Sequence, residues 1–197
     1  KTASRFLALL LVGCAFWALA WGLADLYALG ASRVMEAWHG KDASPDDQEW
    51  ALARRGLALA HRLNPLHPGY LDSLGQLWAW KAAMLPLFSQ EGKDALHEAM
   101  GYYRRAIALR PTWPYTWARL AQAKLNAFEI DGIFCQAVAK ASRFGPHEPQ
   151  VKTMVWRMEK MLPSMAERCS YAPKASALFD GSQDIHSVEG LAVKDQG

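Results

Sequence analysis

A recurring pair of prolines constrains this chain more than any other feature. The sequence reads Pro-x-x-Pro three times, at residues 65–68, 111–114 and 146–149, and an amphipathic stretch precedes and follows each motif. The first proline cannot continue the preceding helix, whereas the second suits the first turn of the next helix, where its missing N–H is no loss. Each motif therefore predicts a tight turn between two helices.

The spacing and the residues around these turns resemble the tetratricopeptide-repeat (TPR) family. The first prolines stand at positions 65, 111 and 146, and the later interval is close to the family's period of roughly 34 residues. Small and bulky apolar side chains match the family's pattern on both helices of each unit. They are Ala53, Leu57 and Ala60; Leu71, Leu74, Gly75 and Trp78; Ala99, Tyr103 and Ala106; Trp117, Leu120 and Ala121; and Phe134, Val138 and Ala141.

The resemblance implies an all-α fold, with an N-terminal transmembrane helix followed by a short TPR-like solenoid of helical hairpins. We expect two full hairpins between a leading helix near 45–63, with Ser44 as its cap, and a trailing helix near 149–162. Two features depart from the pattern: an extra segment near 84–93, and Lys124 where an aromatic residue is usual. An ordinary helical bundle is the alternative fold.

An uncharged run near the N-terminus predicts a membrane anchor. Residues 6–24 contain no charged side chain, and a helix of about 20 such residues spans a hydrocarbon core. Lys1 and Arg5 precede the run, and Trp21 and Tyr27 suit the membrane–water interface. A cleaved signal peptide, with Ala18-Leu19-Ala20 as its cleavage site, and a buried soluble helix are the alternatives.

The charge around this run predicts the orientation and the organisation of the chain. The positive-inside rule favours a single-pass protein of the bacterial inner membrane, with a cytoplasmic N-terminus and a periplasmic C-terminal domain. We predict a cytoplasmic N-terminus at 1–5, a transmembrane helix at 6–29, a linker at 30–44, the TPR-like domain at 45–163 and a flexible tail at 164–197.

The resemblance also implies a partner-binding groove, because in this family the first helices of the hairpins line the concave face. A groove of this composition can hold a peptide or stack a sugar ring. The predicted groove residues are Asp72, Gln76, Trp80, Tyr115, Gln122, Asn126 and Arg157. Cys135 and Cys169 are candidate partners for a disulfide at the end of the solenoid, since both would lie in an oxidising compartment.

Composition argues against several classes of function. The net charge is only +3, and the basic residues alternate with acidic ones, which gives no footprint for nucleic acid. The sequence contains no catalytic or phosphate-binding motif, and its histidines and cysteines lack metal-ligand spacing. We therefore expect neither an enzyme nor a cofactor, and no metal site.

Three functions fit these expectations. The first is a membrane-anchored scaffold that binds a protein in an envelope assembly, because the layout resembles anchored TPR proteins of bacterial exopolysaccharide biosynthesis and export. The second is a chaperone-like module that binds client segments in cytochrome maturation or pilus assembly. The third is an accessory subunit of an integral membrane complex, in which the anchor helix carries the recognition.

Overall fold

The regular structure of this protein is helical throughout the part of the chain that can be described. A computed structural model describes residues 2–39, 46–86, 88–162 and 169. Within these ranges the predicted all-α class is confirmed. The helices are α1 (Thr2–His39), α2 (Asp47–Leu63), α3 (Pro68–Met84), α4 (Gln90–Leu109), α5 (Pro114–Asn126), α6 (Gly132–Phe144) and α7 (Pro149–Met161).

The second proline of each Pro-x-x-Pro motif begins a helix, as the sequence predicts. These prolines are Pro68 of α3, Pro114 of α5 and Pro149 of α7. A proline there loses no hydrogen bond, because the first N–H groups of a helix have no partner within it. The three predicted helix–turn–helix connections are therefore confirmed.

The start of α2 differs slightly from the prediction. Asp46 is its N-cap, and the Asp46 carboxylate accepts hydrogen bonds from the backbone N–H groups of Gln48 and Glu49. Ser44, the predicted cap, lies outside the described residues. A side chain that accepts from these donors satisfies the first turn of the helix, so α2 begins two residues later than expected.

The helices stack in two layers. Each helix packs against the next along the chain, and α1 also contacts α3, α3 contacts α5, and α5 contacts α7. The odd-numbered helices therefore form one layer, with α2, α4 and α6 packed against it. This arrangement brings the predicted groove residues, which lie on α3, α5 and α7, into a single layer.

Helix α1 passes without a break through most of the predicted linker. Residues 30–39 are helical, so α1 continues through the first part of the predicted linker. Side chains 5–19 and 21–23 are exposed, whereas Ala24 is buried, as are Ala31, Met35 and Trp38 further along. The part of α1 before Ala24 is therefore apolar and exposed, whereas the part from Ala24 onward packs as the first element of the folded domain.

Small side chains allow α1 and α2 to approach closely. A Cβ added at Gly56 would lie 3.1 Å from the carbonyl oxygen of Tyr27 and 3.6 Å from the Cβ of Ala31. At the other end of the pair, the Trp38 indole N–H donates to Glu49 Oε2 at 2.8 Å. These contacts make α1 and α2 an antiparallel hairpin.

Gly75 plays the same role between α3 and α4. A Cβ at this position would lie 2.5 Å from Cε1 of Tyr103, whose ring is buried. Real Cβ atoms do not approach an aromatic ring so closely, and a packed core has little room to yield. The glycine is therefore required by the contact with Tyr103.

We expect Gly75→Ala to lower the free energy of unfolding by about 1–3 kcal/mol, the usual cost of overpacking a core. Gly101→Ala on α4 is the matched control, because a Cβ there meets no atom within 4 Å. It should stabilise the protein by about 0.5–1 kcal/mol, since alanine is the better helix former. Denaturation in detergent, followed by tryptophan fluorescence, measures both, and equal stability of Gly75→Ala and wild type would contradict the packing.

Candidate functional site

The predicted groove residues fall on neighbouring helices of one layer. We call the surface of α3, α5 and α7 in this layer the inner face. Its residues differ in how far they are available to a partner. The residues at issue are Asp72, Gln76 and Trp80 on α3, Tyr115, Gln122 and Asn126 on α5, and Arg157 on α7.

Asp72 is used within the protein, which corrects its placement as an open groove residue. Its side chain is buried, and Oδ1 accepts a hydrogen bond from Thr116 Oγ1 at 2.8 Å. Its other oxygen, Oδ2, forms an ion pair with Arg119 Nη1. Asp72 therefore joins α3 to α5, and both carboxylate oxygens are already occupied.

Trp80 is partly covered by α1. Its ring packs against that of Trp38, with 5.3 Å between centroids, and the side chain is half-buried. A second aromatic pair lies beside it, since Trp50 of α2 meets Trp78 of α3 at 5.0 Å. Trp80 thus attaches the first hairpin to α3, in addition to any role at the inner face.

The remaining inner-face residues present polar groups to the surface. Gln122 Nε2 donates to Asn126 Oδ1 at 2.8 Å, which leaves further amide donors and acceptors on both side chains. Gln76 is half-buried, and Arg157 is exposed. Tyr115 donates its hydroxyl to Glu148. Amides and a guanidinium on a rigid layer of helices suit the recognition of a peptide backbone and its carboxylates.

A buried lysine explains one departure from the repeat pattern. The Lys124 side chain is 1% exposed, and its Nζ lies 2.6 Å from Glu129 Oε2 and 3.0 Å from Asp131 Oδ2. His97 of α4 contacts the other Glu129 oxygen at 2.9 Å. Sequence reasoning missed this cluster, although two acids in the turn after α5 were an available signal.

The pKa values of both acids are lowered. For Glu129, burial acts in the opposite direction but is outweighed by the hydrogen bond and charge of Lys124 and by His97. For Asp131, burial is likewise outweighed, here by the backbone N–H of Phe134 and by Lys124. Both acids are therefore more readily ionised in the folded state than in the unfolded chain.

We expect this cluster to make the protein sensitive to acid. Lowered pKa values mean that its stabilisation is present above the ordinary values of 4.5 and 3.8 and is lost as the pH falls through the folded values. Unfolding midpoints in denaturant, measured between neutral pH and pH 3, should therefore fall at the acid end. In Lys124→Met the fall should be smaller, and an identical pH profile in both proteins would contradict the assignment.

A second experiment separates structural from surface roles at the inner face. Asp72→Ala removes the acceptor of Thr116 and the partner of Arg119, and we expect a loss of about 1–3 kcal/mol from the free energy of unfolding. Gln76→Ala, one turn further along α3, should change it by about 0.5 kcal/mol or less, as for most surface positions. Denaturant titration of both variants is the measurement. Similar losses of unfolding free energy for the two would contradict the role of Asp72 in joining α3 to α5.

Two phenylalanines form an exposed pair that the sequence did not predict. Phe88 precedes α4 and Phe128 precedes α6, and their rings stack at 5.3 Å between centroids. Each side chain is 67% exposed, and the backbone φ angles are 69° and 61°. A left-handed conformation is unfavourable for a bulky residue, and the sequence pattern carries no signal for it.

The two candidate cysteines are joined in the structure. Cys135 of α6 and Cys169 form a disulfide across 34 positions of sequence. Both side chains pack against the core of α4 to α7. The bridge therefore holds a point beyond α7 against α6, at the end of the helix stack where no further hairpin follows in the described chain.

An apolar hollow of about 310 Å³ lies between α1 and α2. It begins at Leu26, just beyond the free part of α1, and Gly30 and Gly56 leave room in its walls. Val34 and Leu52 add apolar surface, and Leu52 is exposed. Within the described ranges, no group of three or more His, Cys, Asp or Glu side chains is placed to hold a metal ion.

Over the described residues these features define an all-helical fold, with one helix that is long and apolar enough to cross a membrane. The membrane-length segment covers Arg5–Trp38, and its most apolar window has a mean hydropathy of 2.2. No protein-family model matches this sequence, and no curated protein matches it.

Proposed function

We propose that this protein is a membrane-anchored, non-enzymatic scaffold whose TPR-like domain binds a protein partner through the inner face. The observation that carries the proposal is the position of that face. It lies on helices packed, through α3, against the same helix α1 whose free N-terminal part is apolar and exposed. A partner bound there is held at a fixed place beside the membrane.

The chemistry of the inner face favours a peptide as the bound group. The amides of Gln76, Gln122 and Asn126 can pair with backbone N–H and C=O groups, and Arg157 can pair with a carboxylate. Helical-repeat stacks commonly bind extended segments along such a surface. A sugar ring would need an open aromatic face, and Trp80 is half-buried against Trp38, so a peptide is the better candidate.

The proposed compartment is the periplasm, with α1 in the bacterial inner membrane and its N-terminus in the cytoplasm. Lys1 and Arg5 precede the apolar run, which supports that orientation. The Cys135–Cys169 disulfide supports it independently, because such bonds persist in oxidising compartments. The proposed setting is an envelope assembly, and exopolysaccharide biosynthesis or export is the first system to examine.

Two related functions lead to different outcomes. A chaperone-like module would bind many unrelated apolar segments, whereas a scaffold would bind one partner. An accessory subunit would bind through α1, and the apolar hollow beside Leu26 and Leu52 favours that alternative because Leu26 lies just beyond the exposed residues 21–23 of the helix. A helix from a membrane partner is the occupant that such a hollow would suit.

The test combines an anchor exchange with a charge reversal. Residues 6–23 are replaced by an unrelated transmembrane sequence, and residues 24–39 are retained because they pack on α2. In a separate variant, Arg157→Glu reverses a charge on the inner face, and Arg104→Glu on α4 is the matched exposed control. Partners are crosslinked in native membranes, purified and identified, and their binding to each variant is measured.

We expect the partner to survive the anchor exchange and the Arg104→Glu control. Arg157→Glu should weaken its binding roughly tenfold, corresponding to about 1.4 kcal/mol. Loss of the partner on anchor exchange, or undiminished binding in Arg157→Glu, would instead support the accessory subunit. Recovery of many unrelated proteins, all displaced by one unfolded peptide, would support the chaperone-like module.

A further inference from the structure

The register of α1 against α2 fixes the depth of the first Pro-x-x-Pro turn. Ala24 of α1 and Ala60 of α2 lie in one buried cluster, and Gly56 faces Tyr27 and Ala31. The two helices are antiparallel, so each residue beyond Ala60 lies about 1.5 Å further back along α1. The end of α2, at Leu63, is therefore level with residue 21 of α1.

The turn that follows α2 reaches the level of the exposed apolar part of α1. Tyr70, in the first turn of α3, donates its hydroxyl to Asp25 and shares the cluster of Ala24 and Ala60. Residues 64–67 connect the end of α2 to α3. They lie about one helical turn from Ala24, measured along α1 toward its N-terminus, since a turn rises about 5.4 Å. This is the depth of Trp21, the residue whose ring suits the membrane–water interface.

The side chains at this end of the domain fit such an interface. Leu66 is 72% exposed at the tip of the turn, and Arg62 and His67 on either side of it are also exposed. An isolated apolar side chain beside a cationic arginine can enter the acyl boundary while the guanidinium meets phosphates. An exposed leucine at that depth would otherwise remain in water next to the bilayer.

The second Pro-x-x-Pro turn has a related composition. Trp113 is 39% exposed, and the Arg110 guanidinium lies 4.1 Å from the centroid of its ring. Because α4 runs antiparallel to α3, this turn lies at the same end of the stack as Leu66. Tryptophan is enriched at membrane–water interfaces, and an arginine side chain can lay its apolar stem there while keeping its charge in water.

We propose that the α2–α3 turn, with Leu66 at its tip, enters the lipid headgroup layer and docks the domain on the bilayer. This inference rests on the proposed function, because it requires α1 to span the membrane. The lipid surface is favoured over a protein partner because the turn is attached, through α2 and Tyr70, to the helix that leaves the bilayer. Arg62 would strengthen the contact where the headgroups are anionic.

Site-directed spin labelling of the full chain tests the depth of the turn. The exposed free Cys14 is first changed to alanine, and the bridged Cys135 and Cys169 do not react. Leu66→Cys carries the label in question. Phe88→Cys, at a similarly exposed turn beyond the far end of α3, is the water control. Phe16→Cys, in the exposed apolar part of α1, is the lipid control.

The labelled proteins are reconstituted in vesicles of phosphatidylcholine with phosphatidylglycerol, and label collisions with oxygen and with a water-soluble nickel chelate are compared. We expect the oxygen-to-nickel ratio at position 66 to be several-fold above that at 88 and below that at 16, because the turn enters only the headgroup layer. A ratio at 66 equal to that at 88 would overturn the docking. Weak collision with both reagents would also overturn it, because protein would then cover the turn.

The result at position 16 distinguishes failure of the membrane anchor from failure of the docked turn alone. A water-like ratio at position 16 means that α1 does not span the bilayer, and the anchored scaffold then fails together with the docking. A lipid-like ratio at 16 with a water-like ratio at 66 leaves the anchor intact and removes only the docked turn.

Discussion

Close packing of α1 on α2 is the contact on which the placement of the other helices depends. The helix continues from its free apolar part to His39, and the domain begins on its side at Ala24. Gly56 allows the two backbones to approach at Tyr27, where a larger side chain would push them apart. There is consequently no free linker within residues 24–39, and the direction of α1 determines the direction of the stack.

The sequence predicted the helices well because proline acts locally. The first proline of each motif cannot continue the preceding helix, and the second (Pro68, Pro114 or Pro149) begins the next one, so the two prolines together bound each turn. The C-terminal end of the predicted anchor was harder to place, since a membrane-spanning segment and the buried side of a packed helix are both apolar. Only the partner surface on α2 distinguishes them.

The sequence assigns the predicted groove residues to particular helices, but it does not show which contacts their side chains make within the fold. Periodicity assigns a side chain to one side of a helix, but it does not show whether that side chain is already in contact with another helix. Asp72 meets Thr116 and Arg119 more than forty positions away, and Trp80 meets Trp38. Such pairs arise only when the hairpins are stacked, and local sequence patterns cannot anticipate them. The same holds for the left-handed backbone at Phe88 and Phe128.

Buried polar contacts between hairpins also limit how the stack can be arranged. Desolvation offsets much of the attraction in such pairs, so they add little net stability. A shift of α5 along α3 would nevertheless leave the carboxylate of Asp72 buried without its donors, which is strongly unfavourable. The pair therefore selects one register between hairpins. A single register, on a helix without a free linker, keeps Gln122 and Arg157 at a constant distance from α1. In the proposed scaffold that constancy would hold a bound partner at one distance from the bilayer, which a freely tethered binding module would not do.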